Sequence, residues 1–294
     1  MNRRWRPPSA LDLSLVLGPL TRGSTDPAAR RTRSGDWWLT ANTDSGPGTL
    51  LLRSVEGSIE GQAWGPGGAE LLERMPLLLG ADDTPEDFRP DDETVVTVLW
   101  RRLGRRWRVP ATGLVFQTAV QAVLEQKVTG TESRRSWYRL LRDHGSPAPG
   151  PAPQGMFVAP PREVVAAVPS WWWRGAGVDQ QRSRTVLELA RRRFPGEAAD
   201  VPRRLAAVPG IGPWTVAEVA FRALGDADAV SVGDYHLADL VGYALTGRPR
   251  SSDAELLQLL QPYAGHRYRA VRMIELSGIR KPRFGPRAGI PDHR

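Results

Sequence analysis

The sequence contains no cysteine, and this absence excludes several kinds of chemistry at once. Structural disulfides, thiolate-bound zinc and cysteine nucleophiles all require that residue. An iron–sulfur cluster is excluded for the same reason, because such clusters are held by cysteine thiolates. Histidine is also scarce: four residues lie scattered along the chain without the spacing of a metal site. We therefore expect no cofactor of these kinds.

Long hydrophobic runs are missing as well. No apolar segment approaches the ~20 residues that a membrane span requires. The apolar stretch near the N-terminus is short and interrupted by Asp12 and Pro19, unlike that of a signal peptide. The GxxxxGK phosphate-binding motif and a cluster of acidic metal ligands are also lacking, which argues against a helicase or a nuclease. We expect a monomeric cytoplasmic protein that works at the nucleoid and not at a membrane.

Positive charge is what the chain has in excess. Its net charge is +8 and its pI is about 10.6, with arginine supplying nearly all of the basic residues. This balance favours a polyanionic partner, and nucleic acid is the first choice. The alternative is a generally arginine-rich surface without a specific partner. A chain of 294 residues is long enough for two or three packed units.

The pattern of apolar residues changes near residue 90. Before it, alternating segments bounded by glycine predict strands, and two segments with helical spacing predict helices. We expect an α+β domain over residues 1–90, with an antiparallel sheet covered on one face by two helices. For residues 91–280 we expect a mostly helical region. For residues 281–294 we expect a basic, flexible tail.

A short apolar turn, VPGIGP at residues 208–213, lies between two helical segments. Proline at 209 ends one helix, and Pro213 suits the first turn of the next. Gly210 and Gly212 permit backbone angles closed to other residues and let a ligand approach the main chain. The N–H groups at such a helix start can bind an anion, and phosphate suits a basic protein. The alternative is an ordinary corner between two helices, with glycines for packing.

About twenty residues after this turn stands Asp234, just before another helical segment. A hairpin followed by an aspartate at this distance resembles the helix–hairpin–helix DNA glycosylase superfamily, and most closely the bacterial 3-methyladenine DNA glycosylase II (AlkA) type. The resemblance covers most of the chain and also rests on residues 5–8, 122–128 and 209–215. It implies two packed helical subdomains after the α+β domain, with the hairpin at residues 205–224. It makes Asp234 the catalytic carboxylate, although aspartate is also a common helix N-cap.

The same resemblance implies roles for three further sets of residues. The base pocket would contain Trp214, Glu218, Tyr235 and His266. Contacts to damaged double-stranded DNA would come from Gln126, Lys127, Gly210, Ile211, Gly212 and Thr215. The carbonyls of Ala206, Val208 and Gly210 would hold a monovalent cation that bridges to phosphate.

The chain departs from the family pattern at the pocket and at the residue that fills the gap left by a flipped base. Glu218 replaces a tyrosine, His266 a tryptophan and Pro19 a phenylalanine, so the pocket is less aromatic and more polar. Lys127 stands where the family has an apolar wedge, and its methylene stem could serve that purpose.

The chain also differs from the lyase-type relatives, which have a nucleophilic lysine at the position of Trp214. No lysine lies between residues 128 and 280. The sequence therefore predicts a monofunctional glycosylase for alkylated bases, which leaves an abasic site without cutting the strand. Two alternatives stay open: a non-catalytic binder of damaged DNA, and a glycosylase for deaminated or oxidised bases.

Overall fold

A computed structural model describes residues 1–90, 93–194 and 198–281. Its N-terminal part is a five-stranded antiparallel sheet with the strand order β1-β5-β4-β3-β2. The strands are β1 (Asn2–Trp5), β2 (Ala29–Arg31), β3 (Trp37–Thr43), β4 (Gly46–Val55) and β5 (Ser58–Trp64). Leu50, Leu51 and Leu52 of β4 are all buried, although adjacent strand residues point to opposite faces. The sheet is thus covered on both faces in its centre, and the expectation of one covered face was wrong.

Two helices accompany this sheet, as the sequence predicts: α1 (Leu13–Leu17) and α2 (Gly68–Leu78). Asp12 begins α1 by accepting hydrogen bonds from the N–H groups of Ser14 and Leu15. Helix α2 packs closely on β5, because a Cβ at Gly61 would lie only 2.5 Å from the Met75 sulfur. The other sheet face packs Trp38 and Leu51 against Met156, a residue of the later Pro- and Gly-rich loop.

The rest of the described chain is mostly helical. The helices are α3 (Val95–Leu103), α4 (Val115–Glu125), α5 (Gly130–His144), α6 (Arg162–Ala167), α7 (Ser170–Gly175), α8 (Gln180–Arg191), α9 (Val201–Ala206), α10 (Pro213–Val219), α11 (Leu237–Thr246), α12 (Asp253–Leu260) and α13 (Arg267–Leu276). Between α5 and α6 the two-residue strands β6 (Ser146–Pro147) and β7 (Phe157–Val158) pair. In the described part of the chain, no helix is both long and apolar enough to cross a membrane.

These helices form two packed groups, which confirms the predicted α+β architecture. Helices α4 to α10 share one core, in which Trp137, Trp173 and Leu205 are buried. The C-terminal helices instead share a core with the N-terminal domain, where Met273 packs in the same cluster as Leu17. The domain boundary near residue 90 stays a prediction. The C-terminal helices share their core with the N-terminal domain, so the two parts of the chain are not packed separately. Residues 282–294 of the predicted tail lie outside the described residues.

A buried ion pair fastens the C-terminal helix to the N-terminal domain. Arg269 of α13 is fully buried, and its two terminal nitrogens donate to the carboxylate of Asp83 at 2.5 and 3.2 Å. The guanidinium carbon lies 5.4 Å from the ring centre of Trp100 and 5.3 Å from that of Trp107. Asp83 also accepts the N–H of Val109 at 2.9 Å. The Asp83 carboxylate therefore supplies the negative charge that compensates the Arg269 guanidinium, which is buried away from water.

We predict that Asp83→Asn lowers the free energy of unfolding by about 3–5 kcal/mol, because it leaves the guanidinium uncompensated in the core. Urea denaturation followed by circular dichroism measures the loss. Asp36→Asn, which breaks the more exposed pair with Arg53, is the matched control and should cost less than about 1 kcal/mol. Equal losses for the two variants would contradict the role of the buried pair.

Candidate active site

The VPGIGP turn joins α9 to α10 in a hairpin whose shape depends on Gly210. Its φ is +89°, a region that favours glycine, and a Cβ there would lie 2.1 Å from the hydroxyl oxygen of Thr185. That hydroxyl is within donating distance of the Pro209 carbonyl at 3.1 Å. Gly212 differs, because its φ of −105° is ordinary and a Cβ would meet nothing within 4 Å. The open side of the hairpin is thus at Gly212.

The hairpin is tied to the end of α4 through Gln126. The Gln126 amide donates to the Gly210 carbonyl at 3.0 Å and to the Thr215 hydroxyl at 2.9 Å. Thr215 is only 2% exposed, so its side chain supports the hairpin and does not face a ligand. The expected contact of its hydroxyl with DNA is therefore corrected to an internal hydrogen bond.

Lys127 follows as an exposed residue with a φ of +55°, one of the two non-glycine residues with positive φ in the described ranges. This left-handed conformation costs roughly 1–2 kcal/mol for a residue with a Cβ. Strain of this kind accumulates where a side chain has to project in a particular direction. The turn presents Lys127 next to the hairpin that Gln126 contacts.

The hairpin also brings backbone groups to its surface. Within the described ranges, the N–H groups of Gly210 and Gly212 make no hydrogen bond, and the first N–H groups of α10 have no intrahelical partner. The Val208 carbonyl accepts the Ile211 N–H at 3.0 Å, while the Gly210 carbonyl accepts the Gln126 amide. Each carbonyl oxygen keeps a second lone pair. These neutral oxygens, with that of Ala206, suit a monovalent cation, and the cation site stays a prediction.

Asp234 has both carboxylate oxygens fixed by hydrogen bonds from two different elements. Its Oδ1 accepts the N–H groups of His236 and Leu237, at 2.8 and 2.9 Å, at the start of α11. Its Oδ2 accepts the indole N–H of Trp214, in α10, at 3.2 Å. Asp234 therefore holds the start of α11, whose N-cap is His236, in the manner of a capping side chain, and it is half-buried. Capping leaves it a role in chemistry, because Oδ2 retains free lone pairs.

The carboxylate of Asp234 borders a cavity of about 320 Å³, near the lower end of the range for small-molecule sites. The cavity lies between the end of α10, the loop before α11, and α13. Its lining comprises Pro19, Glu218, Phe221, Arg222, Ala229, Val230, Ser231, Asp234, His236, Leu237, Leu240, Tyr268, Val271, Arg272 and Glu275. Of the four residues that the sequence assigned to the base pocket, the structure brings only Glu218 to this lining. Pro19 is also present, as expected.

Glu218 forms a polar floor with Arg222 and Ser231. The Arg222 guanidinium pairs with the Glu218 carboxylate, whose other oxygen accepts the Ser231 hydroxyl at 2.6 Å. Arg222 also donates to the Pro19 carbonyl at 3.1 Å. Burial acts to lower the pKa of Arg222, but the carboxylates of Glu218 and Glu125 hold it above its usual value. The floor therefore contains an ion pair in which Arg222 keeps its charge.

Comparisons with known proteins bear on the fold. No known protein-family profile matches the chain. The probable bifunctional transcriptional activator/DNA repair enzyme AlkA of Mycobacterium tuberculosis is 32% identical over 175 residues, which are 56% of this chain and 34% of that protein. The chain thus spans about a third of the length of the curated relatives it matches.

Among solved structures, the 3-methyladenine DNA glycosylase of Archaeoglobus fulgidus superposes with a TM-score of 0.77 at 16% identity. The match covers 93% of this chain and 97% of that one. The chain therefore shares the fold of this DNA glycosylase. The resemblance to the AlkA type is confirmed. An 8-oxoguanine glycosylase/lyase of Clostridium acetobutylicum also shares the fold, with a TM-score of 0.68 at 9% identity over 93% of this chain and 95% of that one.

Three of the four expected pocket residues lie outside the cavity lining, and two of these, Tyr235 and His266, make their contacts elsewhere. Tyr235 is 88% exposed, with its ring edge against His236 and Lys281 within 5.9 Å of its centre. His266 packs on Phe88 and accepts a hydrogen bond from Arg269. Burial and the nearby Arg269 lower the pKa of His266. In the absence of DNA neither side chain faces the cavity, and their pocket roles stay predictions that this geometry does not support.

The aromatic surface of the cavity comes from two residues that sequence reasoning missed. Phe221 and Tyr268 stack with their ring centres 4.1 Å apart, and both are nearly buried. Burial raises the pKa of Tyr268, so its phenol is neutral near pH 7. Phe221 lies one helical turn after Ala217 in the segment that continues α10, and this periodicity could have placed it inward. No local signal connects it with Tyr268.

We predict that two alanine substitutions in the hairpin differ in their effect on stability. Gly210→Ala should lower the free energy of unfolding by more than about 1 kcal/mol, because of its positive φ and its contact with Thr185. Gly212→Ala should change it by less than about 0.5 kcal/mol, because the site is open. Thermal and urea denaturation measure both. A stable Gly210→Ala variant would contradict the hairpin geometry.

Proposed function

We propose that the chain is a monofunctional DNA glycosylase that extrudes a 3-methyladenine-like alkylated base from double-stranded DNA and releases it by hydrolysis. The observation that carries this proposal is the Asp234 carboxylate, fixed by three hydrogen bonds at the edge of a cavity and close in the fold to the hairpin. The fold and the partial match to a DNA repair enzyme of the AlkA type support it. The activity is inferred from these observations together.

The chemistry requires a negative charge next to the sugar. A base inside the duplex is out of reach, so the nucleotide has to rotate into a pocket before the reaction. When the N-glycosidic bond breaks, positive charge develops on the sugar, and the alkylated base takes the bonding electrons. A carboxylate already in place stabilises that charge without reorganising. Asp234 would act in this way and orient the attacking water.

The hairpin would hold the DNA backbone while this happens. The unpaired N–H groups of Gly210 and Gly212, with the start of α10 and the backbone of Ile211, would bind a phosphate. A monovalent cation on the carbonyls of Ala206, Val208 and Gly210 would add positive charge beside the same phosphate. Through its hydrogen bonds to Gly210 and Thr215, Gln126 would hold the hairpin in a fixed position relative to the exposed Lys127. Such binding should weaken steeply with salt, because phosphate contacts release counterions.

The cavity offers a polar rather than an aromatic site for the base. Phe221 and Tyr268 provide an apolar surface, and Glu218, paired with Arg222, provides carboxylate oxygens that can accept hydrogen bonds from ring or amino N–H groups. A cationic base would be attracted by Glu218, Asp234 and Glu275. The same polar floor favours, as a second candidate, a deaminated or oxidised base whose ring N–H is intact.

The proposal excludes strand cleavage through a Schiff base. The fold alone does not decide this, since the Clostridium acetobutylicum relative is a glycosylase/lyase. The amine needed for attack on the sugar is lacking, because Trp214 stands at the relevant position and the two lysines of the chain are Lys127 and Lys281. Lys281 pairs with Asp239 at 2.6 Å. The product would be an intact strand with an abasic site.

We predict that the purified protein releases 3-methyladenine or 7-methylguanine from methylated duplex DNA without added metal. Asp234→Asn should lower the single-turnover rate by at least about 100-fold, because it removes the charge that stabilises the transition state. Liquid chromatography of the released bases measures the rate. A denaturing gel before and after alkali shows whether the strand is cut.

Release by Asp234→Asn at the wild-type rate would contradict the role of the carboxylate. Strand cleavage before alkali would contradict the monofunctional assignment. Tight binding of damaged duplex without release would favour the non-catalytic binder, and release from a deaminated or oxidised duplex alone would favour the second candidate.

We predict that Lys127→Ala slows excision from duplex DNA by roughly 10-fold and leaves excision from a single strand within about two-fold. The reason is that a wedge stabilises only the gap in a stacked duplex, where opening a step costs a few kcal/mol. Arg31→Ala, on the exposed edge of the N-terminal sheet, removes the same charge elsewhere and serves as the control. Equal slowing on both substrates would rule out the wedge role.

A further inference from the structure

The sequence assigns Trp214 to the base pocket. In the structure its side chain contacts Asp234 instead. It lies in the first turn of α10, directly after Pro213, and is half-buried. It does not belong to the described residues that line the cavity, whereas Phe221, seven residues later, does. Its indole N–H donates to the Asp234 carboxylate at 3.2 Å. An indole nitrogen can only donate, so the acceptor has to be the carboxylate.

This hydrogen bond completes the restraint on the carboxylate. The two N–H groups of α11 fix Oδ1, but a carboxyl group held at one oxygen can still rotate about the bond to its Cβ. Trp214, in α10, donates to the other oxygen, Oδ2, while the N–H groups at the start of α11 donate to Oδ1. The plane of the carboxylate is thus set by two helices that belong to different packed cores, since Val219 lies in one and Leu237 in the other.

We infer that Trp214 is a positioning residue, which orients the second oxygen of Asp234 toward the sugar and does not stack on the base. This inference rests on the proposed function, because it assigns Trp214 a part in the same reaction. It also accounts for a tryptophan at the position where lyases carry lysine. From the first turn of α10, Trp214 reaches the Asp234 carboxylate and supplies it with an N–H.

The test separates a lost hydrogen bond from a lost ring. Trp214→Phe keeps an aromatic face and removes only the N–H donor. Single-turnover excision of a methylated duplex is measured against enzyme concentration, which gives a maximal rate and a half-saturating concentration. We expect the maximal rate to fall roughly 10- to 100-fold, because small misplacements of a reacting group have effects of this size. The half-saturating concentration should stay within about two-fold.

Two further variants make the outcome decisive. Trp171→Phe, at a tryptophan that is 72% exposed on α7, controls for tryptophan loss and should match the wild type. In an Asp234→Asn background, Trp214→Phe should add less than about two-fold, because the tryptophan acts through the carboxylate. Residual release in that background is followed over long incubations with enzyme in excess.

An unchanged maximal rate for a folded Trp214→Phe variant would overturn the inference. So would a loss confined to the half-saturating concentration, as expected for a stacking residue, or a full additive loss on top of Asp234→Asn. The proposed function fails differently: the wild type would then release no base, or Asp234→Asn would release it at the wild-type rate. Circular dichroism and thermal denaturation confirm that each variant is folded.

Discussion

The hydrogen bonds to Asp234 are the constraint on which the site depends. The carboxylate links the start of α11 to the first turn of α10, and thereby holds the loop between these helices against the hairpin. A tight turn carries the residue: the Asp234 N–H donates to the Ser231 carbonyl at 3.1 Å, and Gly233 has a φ of +88°. An oxygen that caps a helix is costly to move, so one side chain secures both the local fold and the direction of a negative charge.

Buried charges connect this loop to the part of the chain that would meet DNA. Arg222 lines the cavity and pairs with Glu218, and the neighbouring Arg22 pairs with Glu125. Burial lowers the pKa of Arg22, and the neighbouring Arg222 lowers it further. Two cations so close together are stable only because two carboxylates balance them. Glu125 is the last residue of α4, directly before Gln126 and the exposed Lys127. The same ion pairs therefore hold both the cavity floor and the segment that carries Lys127.

The sequence was sufficient for the architecture because the relevant signals are local. Alternation predicted the central strands, and the glycines and prolines of the hairpin predicted a turn whose φ of +89° at Gly210 the structure contains. The catalytic role of Asp234 rests on the resemblance to the glycosylase superfamily and stays a prediction.

The composition of the pocket could not be predicted in the same way. Tyr268 meets Phe221 from the far end of the chain, and no periodicity connects them. The direction of the Trp214 ring depends on how α10 packs beside α11, and local sequence patterns do not predict that packing. The pairing of Glu218 with Arg222 was not predicted, although residues four apart on a helix face each other.

An affinity ratio tests directly whether the fixed carboxylate stabilises a cationic sugar. A duplex with a pyrrolidine at the abasic position carries that positive charge, and a tetrahydrofuran duplex is its neutral counterpart. The account predicts that the pyrrolidine duplex binds at least about 100-fold more tightly than the neutral one. It also predicts that Asp234→Asn removes most of this preference. Equal dissociation constants for the two duplexes, or a preference that survives the substitution, would contradict the account.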